Sequence, residues 1–325
     1  MYKTFKEVKI VLIDKISIGV ANLFSKINAK ATILGTLSLL VVALVLHIVP
    51  PVGIILSLFA TIPGIVLWHK SKASFGLAAV ISVVVTVLLG NIFVLSTMII
   101  LLLLSLVIGQ LLLEHTSKER ILYISTTIAG IAAVIVMMVL QAAKMMPSSE
   151  SIIRPLKNRM QEAVTVTGMG DNYQNMLEES FRQMSVQLPS LVIIGIFLFV
   201  LISLIVTFPI VRKFKVATPL FKPLYLWRMP RVLLVLYVIV LLLVLFAVEP
   251  STFQSILLNF ENILSLCMFL QGLSLIHYFG KAKSLPFAVT VAILVVGIII
   301  NPVTHLVALL GVIDLALNLK SSIKK

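Results

Sequence analysis

Apolar residues fill this chain in long blocks, each closed by a short polar or proline break. The blocks cover residues 31–49, 51–69, 73–90, 92–113, 121–143, 189–211, 232–248, 256–279, 285–300 and 303–319. A helix needs roughly 20 mostly apolar residues to cross the hydrocarbon of a bilayer, and most of these blocks approach that length. The breaks are sharp. Pro50-Pro51 ends the first block, Gly90-Asn91 separates the third from the fourth, and Asn301-Pro302 separates the last two. Pro63 falls inside the second block, where a kink is expected.

Two segments depart from the pattern. Over residues 3–28, Phe5, Val8, Leu12, Ile16, Leu23 and Ile27 recur at helical spacing with Lys9, Lys15 and Lys26 between them. That spacing predicts an amphipathic helix on the membrane surface, its lysines drawn to anionic lipid at the cytoplasmic face. Residues 144–188 are polar and predict two short amphipathic helices, over 149–165 and 172–187, joined by a turn at Thr167-Gly168-Met169-Gly170-Asp171.

The fold class that follows is an all-α polytopic integral membrane protein with about ten transmembrane helices. A count of eight or nine follows if a short pair is re-entrant or lies flat. The organisation reads as a basic interfacial segment 1–30, a five-helix membrane region 31–143, an extracytoplasmic helical hairpin 144–188 and a second five-helix membrane region 189–320. Both termini are expected in the cytoplasm.

Composition sharpens this picture. Of 325 residues, 60% are hydrophobic and 12% charged. Soluble domains carry about 25% charged residues, so this chain lacks a polar skin and belongs in lipid. The net charge is +14. Five of the 26 Lys and Arg lie in the hairpin with five acids, and the other 21 fall at block ends assignable to one side. That is the positive-inside pattern of a multi-pass protein, and it argues against nucleic-acid binding. The run Arg212, Lys213, Lys215, Lys222, Arg228, Arg231 contains no acid and is the strongest cytoplasmic marker.

Polar groups inside the apolar blocks are expensive and usually face the bundle interior. Cys267, Gln271, Ser274 and Tyr278 share one face of the eighth block, and Gly311, Asp314 and Asn318 share one face of the last. Asp314 lies six residues from Lys320, so about 9 Å deep at the helical rise. These spacings predict a polar cluster near the cytoplasmic face, with Asp314 paired to Arg228 or Arg231 and flanked by Gln271, Ser274, His277 and Asn318. At the other end of the eighth block, Asn259, Glu261 and Asn262 form a second polar group, level with Glu249, His47 and His305. Glu261 is the residue there that suits a cation or a cationic ligand group.

Catalytic signatures are not expected. HExxH, GxSxG, a Walker phosphate loop and paired catalytic carboxylates do not occur. Gly168-Met169-Gly170-Asp171 matches a short intramembrane-protease pattern, but in a turn outside the membrane. The five histidines are scattered over opposite faces and Cys267 is the single cysteine, so neither a metal site nor a cofactor site is expected.

The strings Trp227-Arg228-Met229-Pro230-Arg231, Leu270-Gln271-Gly272-Leu273-Ser274-Leu275-Ile276-His277-Tyr278-Phe279 and Leu310-Gly311-Val312-Ile313-Asp314 resemble the YybS-like family of bacterial integral membrane proteins. That family is itself distantly similar to the substrate-binding S components of energy-coupling-factor vitamin transporters. The resemblance implies docking to a membrane transport module through small residues of the first helix, where Ala31 and Gly35 have the small-xxx-small spacing. Two functions are therefore carried forward. One is a substrate-binding membrane subunit or transporter for a small molecule, energised by a partner. The other is a non-transporting scaffold that docks an acidic partner or anionic lipid through the basic hinge 212–231.

Overall fold

A computed structural model describes residues 27–146, 149–166, 171–220, 223–248 and 251–322. Thirteen α-helices and one 3-10 turn occur among the described residues, without a strand. They are α1 (Ala29–Ile48), α2 (Pro50–Lys70), α3 (Lys72–Leu88), α4 (Ile92–Leu113), α5 (Lys118–Ala142), α6 (Ser149–Val166), α7 (Asp171–Val186) and α8 (Leu188–Lys213). After the 3-10 turn Leu224–Leu226 come α9 (Arg231–Phe246), α10 (Thr252–Ala282), α11 (Phe287–Ile299), α12 (Asn301–Leu317) and α13 (Leu319–Ser322). Most of the amphipathic helix expected over 3–28, the Thr167-Gly168-Met169-Gly170 part of the hairpin turn, Lys222 and Glu249 lie outside the described residues.

Six of these helices, α1, α2, α4, α5, α8 and α10, are long and apolar enough to cross a membrane. The chain is thus a multi-pass membrane protein, with fewer full-length spans than the ten expected from the apolar blocks. Two of the remaining blocks make shorter helices, because their ends turn. The block 73–90 stops at Leu88, where Gly90 adopts φ +66 in a tight turn open to glycine. The block 232–248 stops at Phe246, where Ala247 is extended. At 16 residues, α9 is about 24 Å long against a hydrocarbon core of about 30 Å. The last two blocks form α11 and α12, bent by 109° at Ile300, and together they pass the same length test as one broken element.

The helix starts follow from local chemistry. Asn28 accepts a bond from the Ala31 N–H, Asn91 from the Phe93 N–H, Ser71 from the Ser74 N–H and Ser251 from the Gln254 N–H. Each satisfies a donor that the first turn leaves unpaired. Pro50 and Pro51 occupy the first turn of α2, where a missing N–H is harmless.

Two compact units divide the chain. The first comprises Met1–Val136 and Ile196–Leu220. Its apolar core includes Leu39, Leu46, Leu67, Phe75 and Met98. Glycines let the helices approach closely there. A Cβ on Gly53 of α2 would overlap the Leu46 backbone of α1, and one on Gly109 of α4 would meet the Trp68 ring of α2. Thr61 of α2, fully buried, bonds both Ser203 (3.2 Å) and Thr207 (3.1 Å) of α8. Ser203 also donates to the Leu58 carbonyl. Small hydroxyls joined this way satisfy one another in an apolar interior at little volume.

The second unit comprises Met137–Gly195 and Phe221–Lys325. Its hairpin α6–α7 closes on Ile153, Leu177 and Phe181, and Lys157 pairs with Glu178 across it at 3.3 Å. Its membrane part is built on α10 and α12. A Cβ on Gly272 of α10 would overlap the Val307 carbonyl of α12, and one on Gly311 of α12 would overlap the Met268 carbonyl of α10. The backbones are therefore in direct contact, as small residues allow between membrane helices.

Gly53→Val is expected to cut the monodisperse yield sharply and to lower the melting temperature, since overpacking a tight contact costs about 1–3 kcal/mol. Gly76→Ala, where a Cβ meets nothing within 4 Å, is expected to behave as wild type. Size-exclusion profiles and thermal melts of the two variants in one detergent check this.

Candidate functional site

The contact between α10 and α12 sets out two polar groups, one toward each end. Gln271 stands opposite Asp314, 43 residues apart, and Met268 stands opposite Gly311 at the same offset. The helices therefore run side by side in the same direction.

At the Asp314 end Gln271, Ser274 and Asp314 are buried and hydrogen-bonded. Gln271 is 1% exposed and Asp314 3%. Gln271 accepts the Met229 N–H through its oxygen at 2.8 Å and donates through its amide nitrogen to Asp314 Oδ2. The other carboxylate oxygen accepts the Lys320 backbone N–H at 3.2 Å. Asn318, which ends α12, adopts the left-handed conformation at φ 56 and turns the chain back so that Lys320 can reach inward. Lys320 Nζ then donates to the Trp227 carbonyl at 2.7 Å and to Ser274 Oγ at 2.6 Å. Burial pushes the Lys320 ammonium below the usual lysine range, with Asp314 opposing that shift and Arg228 adding to it. Ser274 also lies within bonding distance of the Leu224 and Trp227 carbonyls. The segment from Leu224 to Met229 is thus strapped onto α10 and the end of α12.

The expected pairing differs in detail. Asp314 takes its bonds from Gln271 and from the Lys320 backbone, and neither Arg228 nor Arg231 pairs with it. Arg228 donates to Asn318 Oδ1 instead. Arg231 is exposed at the first position of α9 and takes no part in the cluster. His277 stacks edge-on against Tyr225 with ring centroids 5.3 Å apart, and its buried Nδ1 has no hydrogen-bond partner. The residue that the spacing argument missed is Lys320. It read as a flanking interface charge, and only the left-handed turn at Asn318 carries it inward.

At the Glu261 end, two of the three expected residues tie the structure together. Asn259 donates to the Val186 and Ser255 carbonyls, both at 2.8 Å, and accepts the Ser190 N–H at 2.8 Å. That holds the junction of α7 and α8 against α10. Asn262 donates to Ser190 Oγ at 2.9 Å. Glu261 makes no hydrogen bond among the described residues, and His305 of α12 lies within its electrostatic reach. Next to these groups the break between α11 and α12 opens a cleft of about 230 Å³. Asn262, Ser265 and Phe269 line it from α10, Ile298 from the end of α11, and Thr304 and His305 from the start of α12. His305 is the lining residue that the sequence placed only by level, and the signal for it was the Asn301-Pro302 break beside it.

Ala31 and Gly35 do not offer a docking face. Gly35 is buried against Leu67 of α2, and Ala31 packs on the apolar core of the first unit. No group of three or more His, Cys, Asp or Glu suited to a metal occurs among the described residues.

The family model described as "Predicted membrane protein (DUF2232)" matches residues 36–315. Among curated proteins, the uncharacterized protein YybS of Bacillus subtilis (strain 168) is 27% identical over 158 residues, 48% of this chain and 51% of that protein. The chain thus aligns with about half the length of that relative. No solved structure matches.

Gln271→Leu removes the acceptor of the Met229 N–H and a donor to Asp314. Amide hydrogen exchange at Met229 is expected to accelerate roughly tenfold, since a buried group left unpaired costs about 1–3 kcal/mol. Arg231→Gln is expected to leave that exchange unchanged. Exchange followed by mass spectrometry of the 223–230 region separates the two.

Proposed function

We propose that this chain, which belongs to the DUF2232 family of predicted membrane proteins, is a substrate-binding membrane subunit or transporter for a small polar molecule. The observation that carries this reading is the broken element α11–α12, bent by 109° beside the polar face of α10. Irregular backbone at membrane depth is tolerated where it is covered by protein or lines a cavity. Half-helix ends of this kind build substrate sites in many transporters. Here the break coincides with a cleft of about 230 Å³ that carries Asn262, Ser265, Thr304 and His305. By their share of liquid volume that is room for roughly eight waters, so the solute is small.

On this reading the chain acts without catalysing a reaction, and a partner protein supplies the energy. The Asp314 cluster serves the site indirectly, holding the strap 224–230 and the parallel pair α10–α12 in register. A second reading, a scaffold without a transported substrate, is favoured by one observation. Arg212, Lys213 and Lys215 before the strap, and Arg228 and Arg231 within and after it, are all exposed. Such a run suits anionic lipid headgroups or an acidic partner.

Native mass spectrometry of the full chain, extracted from its own membranes in a mild detergent, tests the proposal. The expected result is a stoichiometric small-molecule adduct that is lost when Thr304→Val and Asn262→Leu are combined. A protein complex or bound anionic lipid with no such adduct overturns it in favour of the scaffold.

A further inference from the structure

Hydrogen-bond acceptors gather around the cleft beside the α11–α12 break, and they bear on the class of solute it can hold. Glu261 is one of only two acids within the apolar blocks, the other being Asp314. It has no hydrogen-bond partner among the described residues and stands one helical turn from Ser265, which lines the cleft. Asn262 has its amide orientation fixed by a neighbour. Ser190 Oγ donates to the Gln187 carbonyl at 2.7 Å, so toward Asn262 it can only accept. One Asn262 N–H is therefore engaged, and its oxygen is left to accept.

The backbone of the break points the same way. Pro302 has no N–H, so the Ile298 carbonyl lacks the donor that a continuing helix would supply four residues on. Ile298 is itself a lining residue. The donors of the first turn of α12 are meanwhile used within the turn, the Val303 and Thr304 N–H groups both reaching the Ile300 carbonyl at 2.9 and 3.0 Å. The Tyr237 hydroxyl of α9 lies close to Ser265. Charge agrees with this inventory. Among the lining residues there is no Lys or Arg, and the titratable groups facing Glu261 are His305 from α12 and Tyr237 from α9. The cations of the same helices, Arg231, Lys281 and Lys283, sit at their other ends.

A carboxylate without a hydrogen-bond donor, one helical turn from the lining residue Ser265 and beside the acceptors of Asn262 and Ile298, has to be matched by something that brings charge and hydrogens together. We infer that the cleft binds a small organic cation, an ammonium or guanidinium solute, with Glu261 as its counter-ion and the Asn262 oxygen and Ile298 carbonyl as its acceptors. This assignment rests on the substrate-binding reading above and narrows it to one class of ligand.

The test uses the full chain in nanodiscs of neutral phosphatidylcholine, titrated calorimetrically with named probes. Choline, ethanolamine and methylguanidine are the cations, 3,3-dimethylbutanol is the neutral isostere of choline, and propionate is the anion. At least one cation is expected to bind tenfold or more tightly than both controls. Glu261→Gln is expected to weaken it by at least about tenfold, the range for a charge-assisted bond. Glu261 has no bond to lose in the fold, and an unchanged melting temperature of the variant establishes that the loss is local. A neutral or anionic solute that binds the cleft equally well, or cation binding that survives Glu261→Gln, overturns the cation assignment and leaves the substrate-binding reading standing. Binding of no probe, together with no adduct in the native mass spectrum, overturns both.

Discussion

Direct backbone contact between α10 and α12 is the constraint on which the second unit depends. Hydrocarbon offers no hydrophobic force between helices, so their association must come from close packing and from polar groups that find each other. Gly272 and Gly311 remove the side chains that would hold the two helices apart. Once the backbones touch, Gln271 can reach Asp314, and the start of α12 is fixed against the polar face of α10. Both polar groups of the unit are thus consequences of one crossing. A bulkier residue at either glycine would separate them before it disturbed anything else.

The two ends of that crossing solve the same problem in opposite ways. At the Asp314 end the carboxylate takes donors from Gln271 and the Lys320 backbone. Such a network is rigid and specifies a single arrangement of the strap. At the Glu261 end Asn259 and Asn262 anchor the hairpin junction, but the carboxylate beside them keeps an incomplete set of partners. Complete satisfaction is what a structural knot requires, whereas an incomplete set is the condition for exchange with a solute.

Much of this was legible in the residue pattern. The hairpin helices near 149–166 and 171–186, and the nearness of Gln271 to Asp314, follow from spacing. The membership of the family of predicted membrane proteins was legible too, through the strings around Trp227, Gln271 and Asp314. Fewer helices than apolar blocks reach full length because apolar runs include residues that turn, as at Ala247 and Gly90. The partner of Asp314 was misassigned because charge alone favours an arginine. Depth and direction instead favoured an amide from the adjacent helix and a backbone N–H from past the αL turn. The small pair Ala31 and Gly35 could not be placed from spacing, since the same pattern serves internal packing and external docking equally.

The strap carries a consequence for how the protein is made. The segment 224–229 is held by groups that come from far later in the chain, Asn318 being 90 residues and Lys320 93 residues downstream of their partners. At a synthesis rate of about 5–20 residues per second, the ribosome needs roughly 5 to 20 s to cover that distance. During this interval the segment 224–229 has been made but lacks the bonds from Asn318 and Lys320. The second unit therefore cannot close in order of synthesis. It must wait for its last turn, and the left-handed residue at Asn318 is the point at which the chain turns back to fasten what was made long before.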